Sequence, residues 1–387
     1  VLPDLTSELA DLENRSLRRR LRRVDRTGGP VVSVDGRECL LFCSNNYLSL
    51  STHPALRHAA SVAIDTFGAS SVGSALICGH TSAHDEVHDR IASLVGAEAA
   101  LSFPSGYAAN LGAVTTLVGR GDAVYSDALN HRSLIDACRL SRASIHVYPH
   151  RDVDHLADLI SSNRGARRHL IATDGVFSMD GDLAPLPQLA ELAQRESAIL
   201  LVDDAHATGV FGPNGGGTGD HFGIAGGIDV VTTSASKGLG SFGGYVAGKQ
   251  TLVDLIVNRA ATYIFTSALP PEHCAATTAA IDCVKNEPNR RQRVLSSAAA
   301  LRDRLRELGF ATLDSASQII PIVIGDAKRA MTAADLLFER GIYLLGIRPP
   351  TVPEGSSRLR LSLTADHTDE QIDQLVEALI EMKQRLL

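Results

Sequence analysis

The sequence predicts a doubly wound α/β protein carrying a smaller α/β unit at its C-terminal end. Short apolar runs alternate with helical stretches from about residue 50 to about residue 270. Several runs are apolar at every position, the mark of strands covered on both faces. After the breaker Pro270-Pro271 and a long helical stretch, a second, shorter strand–helix series begins. A chain of 387 residues also exceeds one core of average size, so a large and a small domain are expected. The predicted boundaries are an N-terminal helix and extended segment over 1–50, a large domain over 51–280 and a small domain over 281–387.

Residues 5–23 have helical periodicity and end in the cluster Arg18, Arg19, Arg20, Arg22 and Arg23. Such clusters are usually solvated faces. An arginine reserved for an anionic substrate is the sharper alternative. Strands are expected at 99–103, 123–126, 145–148, 170–173, 199–203, 230–233 and 245–247. Strand–helix alternation of this kind builds a sheet with helices on both faces. Ligands of such sheets bind beyond the carboxyl ends of the strands. A helical region follows from Pro271 to roughly Leu308, then a strand at 318–324 and a helix at 328–340 with Gly341 in the stop position. Over 357–363, Leu359, Leu361 and Leu363 share one face, and Arg358 and Arg360 the other. The last helix opens on a Thr368-x-x-Gln371 capping box and buries Ile372, Leu375, Val376, Leu379 and Ile380.

Composition narrows the function classes. Hydrophobic residues make up 44% and charged residues 21%, as in ordinary globular domains. A net charge of −7 argues against a nucleic-acid partner. Six cysteines without CxxC spacing read as reduced thiols. No run of about 18 apolar residues is available for a membrane span. The opening Val1-Leu-Pro-Asp4 lacks the basic and apolar regions of a secretion signal. A cytoplasmic protein is therefore expected. His80, His84 and His88 recur at i, i+4 and i+8 near Asp85 and Asp89. The third lies two turns from the first and no HExxH is present, so these read as ordinary helix histidines and no metal is expected.

Two segments place polar residues where the sheet opens to a ligand. Ile199-Leu-Leu-Val-Asp203 is an apolar strand ending in a carboxylate, with His206 three residues on. A partly desolvated carboxylate needs a cationic or hydrogen-bonding partner; the plainer reading is a helix-capping loop acid. Thr232 to Gly244 is a strand running into a small-residue turn with one lysine, Lys237. Its glycines allow close approach, and a lysine in such a site forms Schiff bases with carbonyls; the plainer reading is an exposed loop lysine. The G-x-G-x-x-G at 238, 240 and 243 is no dinucleotide fingerprint, because strand rather than helix follows it. A strand-end Asp with a turn Lys is the constellation of pyridoxal phosphate enzymes. Ser102 to Asn110 supplies the strand-to-helix turn whose free N–H groups suit a phosphate.

These motifs are identified as those of the α-oxoamine synthases, pyridoxal phosphate enzymes of the fold-type I, aspartate aminotransferase-like architecture. The resemblance runs from Ser44-Asn-Asn-Tyr-Leu48 to Leu363. Its most specific pieces are Thr173-Asp-Gly-Val-Phe-Ser178-Met-Asp-Gly181, Val202-Asp-Asp-Ala-His206 and Ser236-Lys237-Gly. Arg348-Pro-Pro-Thr351-Val-Pro and Arg358-Leu-Arg360-Leu resemble the branch that serves biotin synthesis. The resemblance implies a decarboxylative condensation of L-alanine with a pimeloyl thioester on coenzyme A or a carrier protein. A sibling condensing enzyme, such as a glycine C-acetyltransferase, is the alternative. It implies that Lys237 holds the cofactor and moves the α-proton, that Asp203 pairs with the ring nitrogen, and that His206 and Ser178 meet the phenolic oxygen. His131 would stack on the ring. Gly106 and Tyr107 would seat phosphate and ring, with Ser234 or Ser236 assisting. Thr266 and Ser267 would reach a phosphate across the interface of a homodimer. Arg360 with Asn45 would bind the amino-acid carboxylate. Arg348 and Thr351 would contact the acyl substrate, with Arg18 a further contact that Arg19 or Arg20 fits nearly as well. Ala207 stands where the family usually has Gly, and Val72-Gly-Ser-Ala75 replaces a more glycine-rich turn.

Overall fold

The computed structural model describes residues 5–25 and 28–386. Residues 1–4, on which the expectation about a secretion signal rests, lie outside the described residues. The chain divides into two compact units. The larger comprises Asn46–Ser178 and Leu183–Gln292; the smaller comprises Val1–Asn45, Met179–Asp182 and Arg293–Leu387. These limits differ from the expected 50 and 280. The helix Pro271–Asn286 packs on helices Pro54–Phe67 and Ser82–Val95, which keeps it with the larger unit.

The larger unit is built on seven strands: β1 (Ala99–Phe103), β2 (Ala123–Asp127), β3 (Ser144–Tyr148), β4 (His169–Asp174), β5 (Ile199–Asp203), β6 (Val230–Ser234) and β7 (Gly244–Gly248). All seven were legible as apolar runs. Their order is β1-β7-β6-β5-β4-β2-β3, and β7 runs antiparallel to both of its neighbours. Successive side chains leave a strand on opposite faces, and both faces are covered. Leu170 and Leu201 join one apolar cluster with Val114 and Leu134 of the helices Gly106–Leu117 and Arg132–Ser141. Ile171 and Leu200 join another with Leu156 and Leu189 of the helices Val153–Ser162 and Leu186–Arg195. This double cover explains the unbroken apolar runs, and it leaves the strand ends as the place for polar chemistry.

Two expectations are corrected. The helix expected over 5–23 spans only Thr6–Asn14. The arginines beyond it divide among several partners: Arg18 and Arg20 both pair with Glu13, Arg22 with Asp35 and Asp335, and Arg23 with Asp25. A continued helix would hold five like charges together. The helical region after Pro271 is two helices, Pro271–Asn286 and Pro288–Glu307, because the residue before a proline resists helical geometry.

The smaller unit has a three-stranded sheet with Ser357–Ser362 between Ile319–Gly325 and Leu345–Ile347. A second sheet pairs Val24–Asp25, Val31–Val34, Arg37–Leu41 and Ile342–Tyr343. Leu359, Leu361 and Leu363 are fully buried, as their alternation predicts, but so is the arginine face: Arg358 is paired with Asp180, and Arg360 is 7% exposed. The capping box of the last helix makes both of its hydrogen bonds, Thr368 N to Gln371 Oε1 at 3.1 Å and Gln371 N to Thr368 Oγ1 at 3.2 Å. Among the described residues, no helix is long and apolar enough to cross a membrane.

Candidate active site

Three adjacent parallel strands, β2, β4 and β5, end in buried aspartates: Asp127, Asp174 and Asp203. Asp127 accepts from His150 Nδ1 at 2.9 Å and from two backbone N–H groups, which closes it into loop structure. Asp174 and Asp203 lie side by side in register. Burial, and then the charge of Asp203, push the Asp174 carboxyl well above the usual carboxylate range. Asp203 accepts from Asn110 Nδ2 at 2.6 Å and from Ala205 N–H at 3.0 Å.

The residues expected around Asp203 converge there. His131 caps the helix Arg132–Ser141 through its Nδ1, which lies 2.7 Å from Ser133 Oγ. The His131 backbone N–H donates to Asp174 Oδ2 at 3.0 Å. One side of His131 stays open to solvent, yet the protein around it displaces enough water to lower its pKa; Asp203 opposes that lowering and Lys237 adds to it. The positive charge of Lys237 also acts on Asp174. Lys237, His131, Asp174 and Asp203 thus form one electrostatic group. His206 is buried, with Nδ1 2.7 Å from Tyr47 Oη. Ser178 is buried at the end of the loop that leaves β4.

The lysine turn meets the N-terminus of the helix Gly106–Leu117 through small residues. Ser105 Oγ caps that helix by accepting from Ala108 N at 3.2 Å. A methyl at Gly106 would lie 3.3 Å from Ser234 Cβ, and one at Gly244 would lie 2.3 Å from the Ser105 carbonyl carbon. Glycine at these positions lets the helix N-terminus sit directly against β6 and β7. Ser234 Oγ is 2.8 Å from Ser236 Oγ. Tyr107 turns its hydroxyl to Asp136, donating at 2.6 Å. Thr266 and Ser267 line a small cavity with Ser102 and Pro104 at the end of β1.

The remaining candidates belong to the smaller unit. Arg360 donates to Asn45 Oδ1 at 3.2 Å. Arg348 is buried and donates to the Arg18 carbonyl at 2.7 Å, while its Nε is buried without a hydrogen-bond partner. The Arg18 guanidinium goes to Glu13 at 3.4 Å, and the arginine that reaches Thr351 Oγ1, also at 3.4 Å, is Arg19. The three histidines at 80, 84 and 88 have separate partners: Asp85, the Leu269 carbonyl and Ser102.

Sequence reading assigned no role to Asn110, Ser133, Tyr47 or Asp174. Asn110 carried a signal, since it is an amide within the small, apolar helix Gly106–Leu117, and a buried amide must find partners.

Comparison with known proteins decides among the chemistries this geometry allows. Residues 37–379 match the family of class I and II aminotransferases. The chain belongs to that family. Within it, an 8-amino-7-oxononanoate synthase of Geobacter sulfurreducens is 47% identical over 384 residues, 99% of this chain and 98% of its own length. One of Anaeromyxobacter dehalogenans is 48% identical over 373 residues, 96% and 94% of the two chains. Among solved structures, a serine palmitoyltransferase of S. paucimobilis with a bound PLP–myriocin aldimine aligns with a TM-score of 0.94 at 30% identity, covering 99% of this chain and 97% of that one. An 8-amino-7-oxononanoate synthase of Francisella tularensis aligns at 0.78 with 28% identity, covering 90% and 99%. The α-oxoamine synthase likeness therefore holds over the whole chain, and the fold is the fold-type I, aminotransferase-like one.

Pyridoxal phosphate is the cofactor of this group, and the residues present fit it. An amine for the aldehyde, an acceptor-only carboxylate for the ring nitrogen and a capped helix N-terminus for the phosphate lie together in the larger unit. The close approach permitted by Gly244 makes the cradle.

Proposed function

We propose that this protein condenses L-alanine with a pimeloyl thioester, releasing CO2 and the carrier thiol and forming 8-amino-7-oxononanoate, a step of biotin synthesis. One observation carries the reading: identity of 43–48% over nearly the whole chain with 8-amino-7-oxononanoate synthases. The serine palmitoyltransferases share the fold at about 30% identity, and a fold alone does not choose a substrate.

When bound, pyridoxal phosphate supplies the electron sink for the carbon that loses its proton and later the carboxylate. Lys237 holds the cofactor through Nζ and, once released by the amino acid, takes the Cα proton and later returns one. Asp203 can only accept hydrogen bonds while ionised, so it keeps a proton on the ring nitrogen and preserves the sink. His131 supports the ring face and orients the reacting groups. His206 has its Nδ1 engaged with Tyr47; Nε2 is the ring atom that meets the phenolic oxygen, with Ser178. The N–H groups of Gly106 and Tyr107 take the phosphate with the Ser234–Ser236 pair, and the helix dipole favours that charge. Arg360 with Asn45 binds the alanine carboxylate. Arg348, Thr351 and an N-terminal arginine bind the acyl donor. In the assembled homodimer, Thr266 and Ser267 complete the partner's phosphate site. Six free cysteines suit a reducing cytoplasm.

The test is product identity. Purified protein with pyridoxal phosphate, L-alanine and pimeloyl-CoA should release thiol and give 8-amino-7-oxononanoate by mass spectrometry. Faster thiol release with serine and palmitoyl-CoA, or with glycine and acetyl-CoA, would move the protein to a sibling activity and overturn this reading.

A further inference from the structure

We infer that Asn110 is the positioning residue that fixes Asp203 and His131 relative to one another. The inference rests on the cofactor roles proposed above for those two residues. Asn110 lies on the helix Gly106–Leu117 and is 1% exposed. Its amide makes three side-chain hydrogen bonds. Nδ2 donates to Asp203 Oδ2 at 2.6 Å and to Ser133 Oγ at 2.8 Å, and Oδ1 accepts from Thr232 Oγ1 at 2.6 Å.

Chemistry fixes the direction of the amide. A carboxylate is acceptor-only, so nitrogen must face Asp203. The oxygen then faces Thr232, whose hydroxyl can donate. With the amide reversed, oxygen would face carboxylate in a buried site, a costly contact. The Thr232 hydroxyl is therefore the lock that keeps nitrogen on Asp203. Thr232 stands opposite Asp203 across the β5–β6 pair, so the lock and the acid it serves are held by one sheet register.

The second donor bond links Asp203 to His131. Ser133 Oγ lies 2.7 Å from His131 Nδ1, so a continuous chain runs Asp203–Asn110–Ser133–His131. A cofactor ring bound by Asp203 at its nitrogen and by His131 at its face needs both at fixed distance. The network sets that distance before the cofactor arrives, which is pre-organisation of the kind that raises affinity by cutting ordering costs. Asn110 touches neither substrate nor reacting atoms in this arrangement; it acts through the two residues that do.

The experiment compares wild type, Asn110→Ala, Thr232→Val and Ser133→Ala. Each protein is stripped of cofactor, and its dissociation constant for pyridoxal phosphate is measured by absorbance and fluorescence. The pH titration of the bound cofactor's visible band is then followed, and the melting midpoint of the stripped protein controls for folding. Hydrogen bonds to charged groups contribute enough that Asn110→Ala should weaken cofactor binding about 10- to 100-fold and displace the visible titration. Thr232→Val should move both in the same direction by a smaller factor. Ser133→Ala breaks only the His131 arm and should leave the dissociation constant within about threefold of wild type while changing the titration. If Asn110→Ala does not fold, Thr232→Val decides. Cofactor affinity and titration equal to wild type in whichever of these variants folds would overturn the role of Asn110. Failure of the wild-type protein itself to bind pyridoxal phosphate would overturn the cofactor assignment and this inference with it.

Discussion

Replacing Gly244 by alanine tests the packing that makes the cradle. The added methyl would stand 2.3 Å from both the carbonyl carbon and the oxygen of Ser105, and 2.4 Å from the Gly106 nitrogen. All three are backbone atoms of the turn that begins the helix Gly106–Leu117, so no side chain can swing aside. Ordinary contact begins near 3.4 Å, and the turn must retreat by about 1 Å. Overpacking of this kind costs roughly 1–3 kcal/mol. The Ser105 cap on Ala108 N is strained by the same movement, and a lost cap costs about 1 kcal/mol. A total of about 2–4 kcal/mol is expected. In a chain of this size that lowers a melting midpoint by only a few degrees, since each kcal/mol is worth about 1 °C. Cofactor binding is the sharper readout, because the displaced N–H groups are those proposed above to take the phosphate. Gly106→Ala is the milder comparison for stability: its methyl would approach Ser234 Cβ at 3.3 Å, with Ser234 Oγ and the Thr233 carbonyl oxygen at 3.7 Å, so a shift of a few tenths of an ångström suffices, and alanine favours helix. Differential scanning fluorimetry of stripped protein, with a cofactor titration, separates the two effects. A Gly244→Ala protein that melts and binds pyridoxal phosphate as the parent does would refute the close-approach argument.

Other perturbations follow from the same geometry. Lys237→Ala should lose the visible band of bound cofactor and reduce product formation by about 10²- to 10⁴-fold, read by absorbance and by thiol release; near-normal turnover would refute the lysine assignment. Arg19→Ala should raise the KM for pimeloyl-CoA about tenfold, and Arg18→Ala should raise it less, because Arg19 reaches Thr351 while the Arg18 guanidinium turns to Glu13; steady-state kinetics of both variants will show the order. His88 gives a pH prediction: burial, reinforced by His80 and His84, lowers its pKa to about 3, and its Nε2 accepts from Ser102 N–H at 3.0 Å. The unfolded chain takes up a proton near pH 6.5 that the folded chain refuses. The stability that His88 contributes is therefore complete above about pH 6.5 and is lost as pH falls from there toward 3. Urea midpoints at pH 7.5 and pH 5 should differ more in wild type than in His88→Gln, and equal differences would refute the assignment.

Much of the fold was legible because its signals are local. Most strands of the larger sheet are short runs of buried, mainly apolar residues, because helices cover both faces and polar residues collect toward the strand ends; the edge strand Ser144–Tyr148, with His146 at its centre and Ile145 and Val147 exposed, is the exception. Where long-range partners decide, local reading failed. The periodicity over 5–23 was genuine, but Arg19 and Arg22 find Thr351 and Asp335 more than 300 positions away, and those contacts compete with a continued helix. Pro288 should have divided the following helix on the local rule for proline alone. The buried arginine face of Ser357–Ser362 depended on Asp180, which belongs to a four-residue excursion of the chain into the smaller unit.

The candidate site divides along the same line. Asp203 and Lys237 announce themselves because each ends or follows an apolar strand, and strand ends are where such sheets bind ligands. What holds them is spread over the sequence. Asn110 is 93 positions from Asp203 and 122 from Thr232, and no spacing rule joins residues so far apart. An indirect signal does exist: the helix Gly106–Leu117 is made of small and apolar residues, and its one amide has to be satisfied inside the sheet's cover. A buried amide facing the end of a polar-tipped strand can serve that strand's carboxylate without neutralising it, which a cationic partner would do. The charge of Asp203 is then retained for the role proposed above, pairing with the ring nitrogen. An asparagine, not a lysine or arginine, is the residue this position requires.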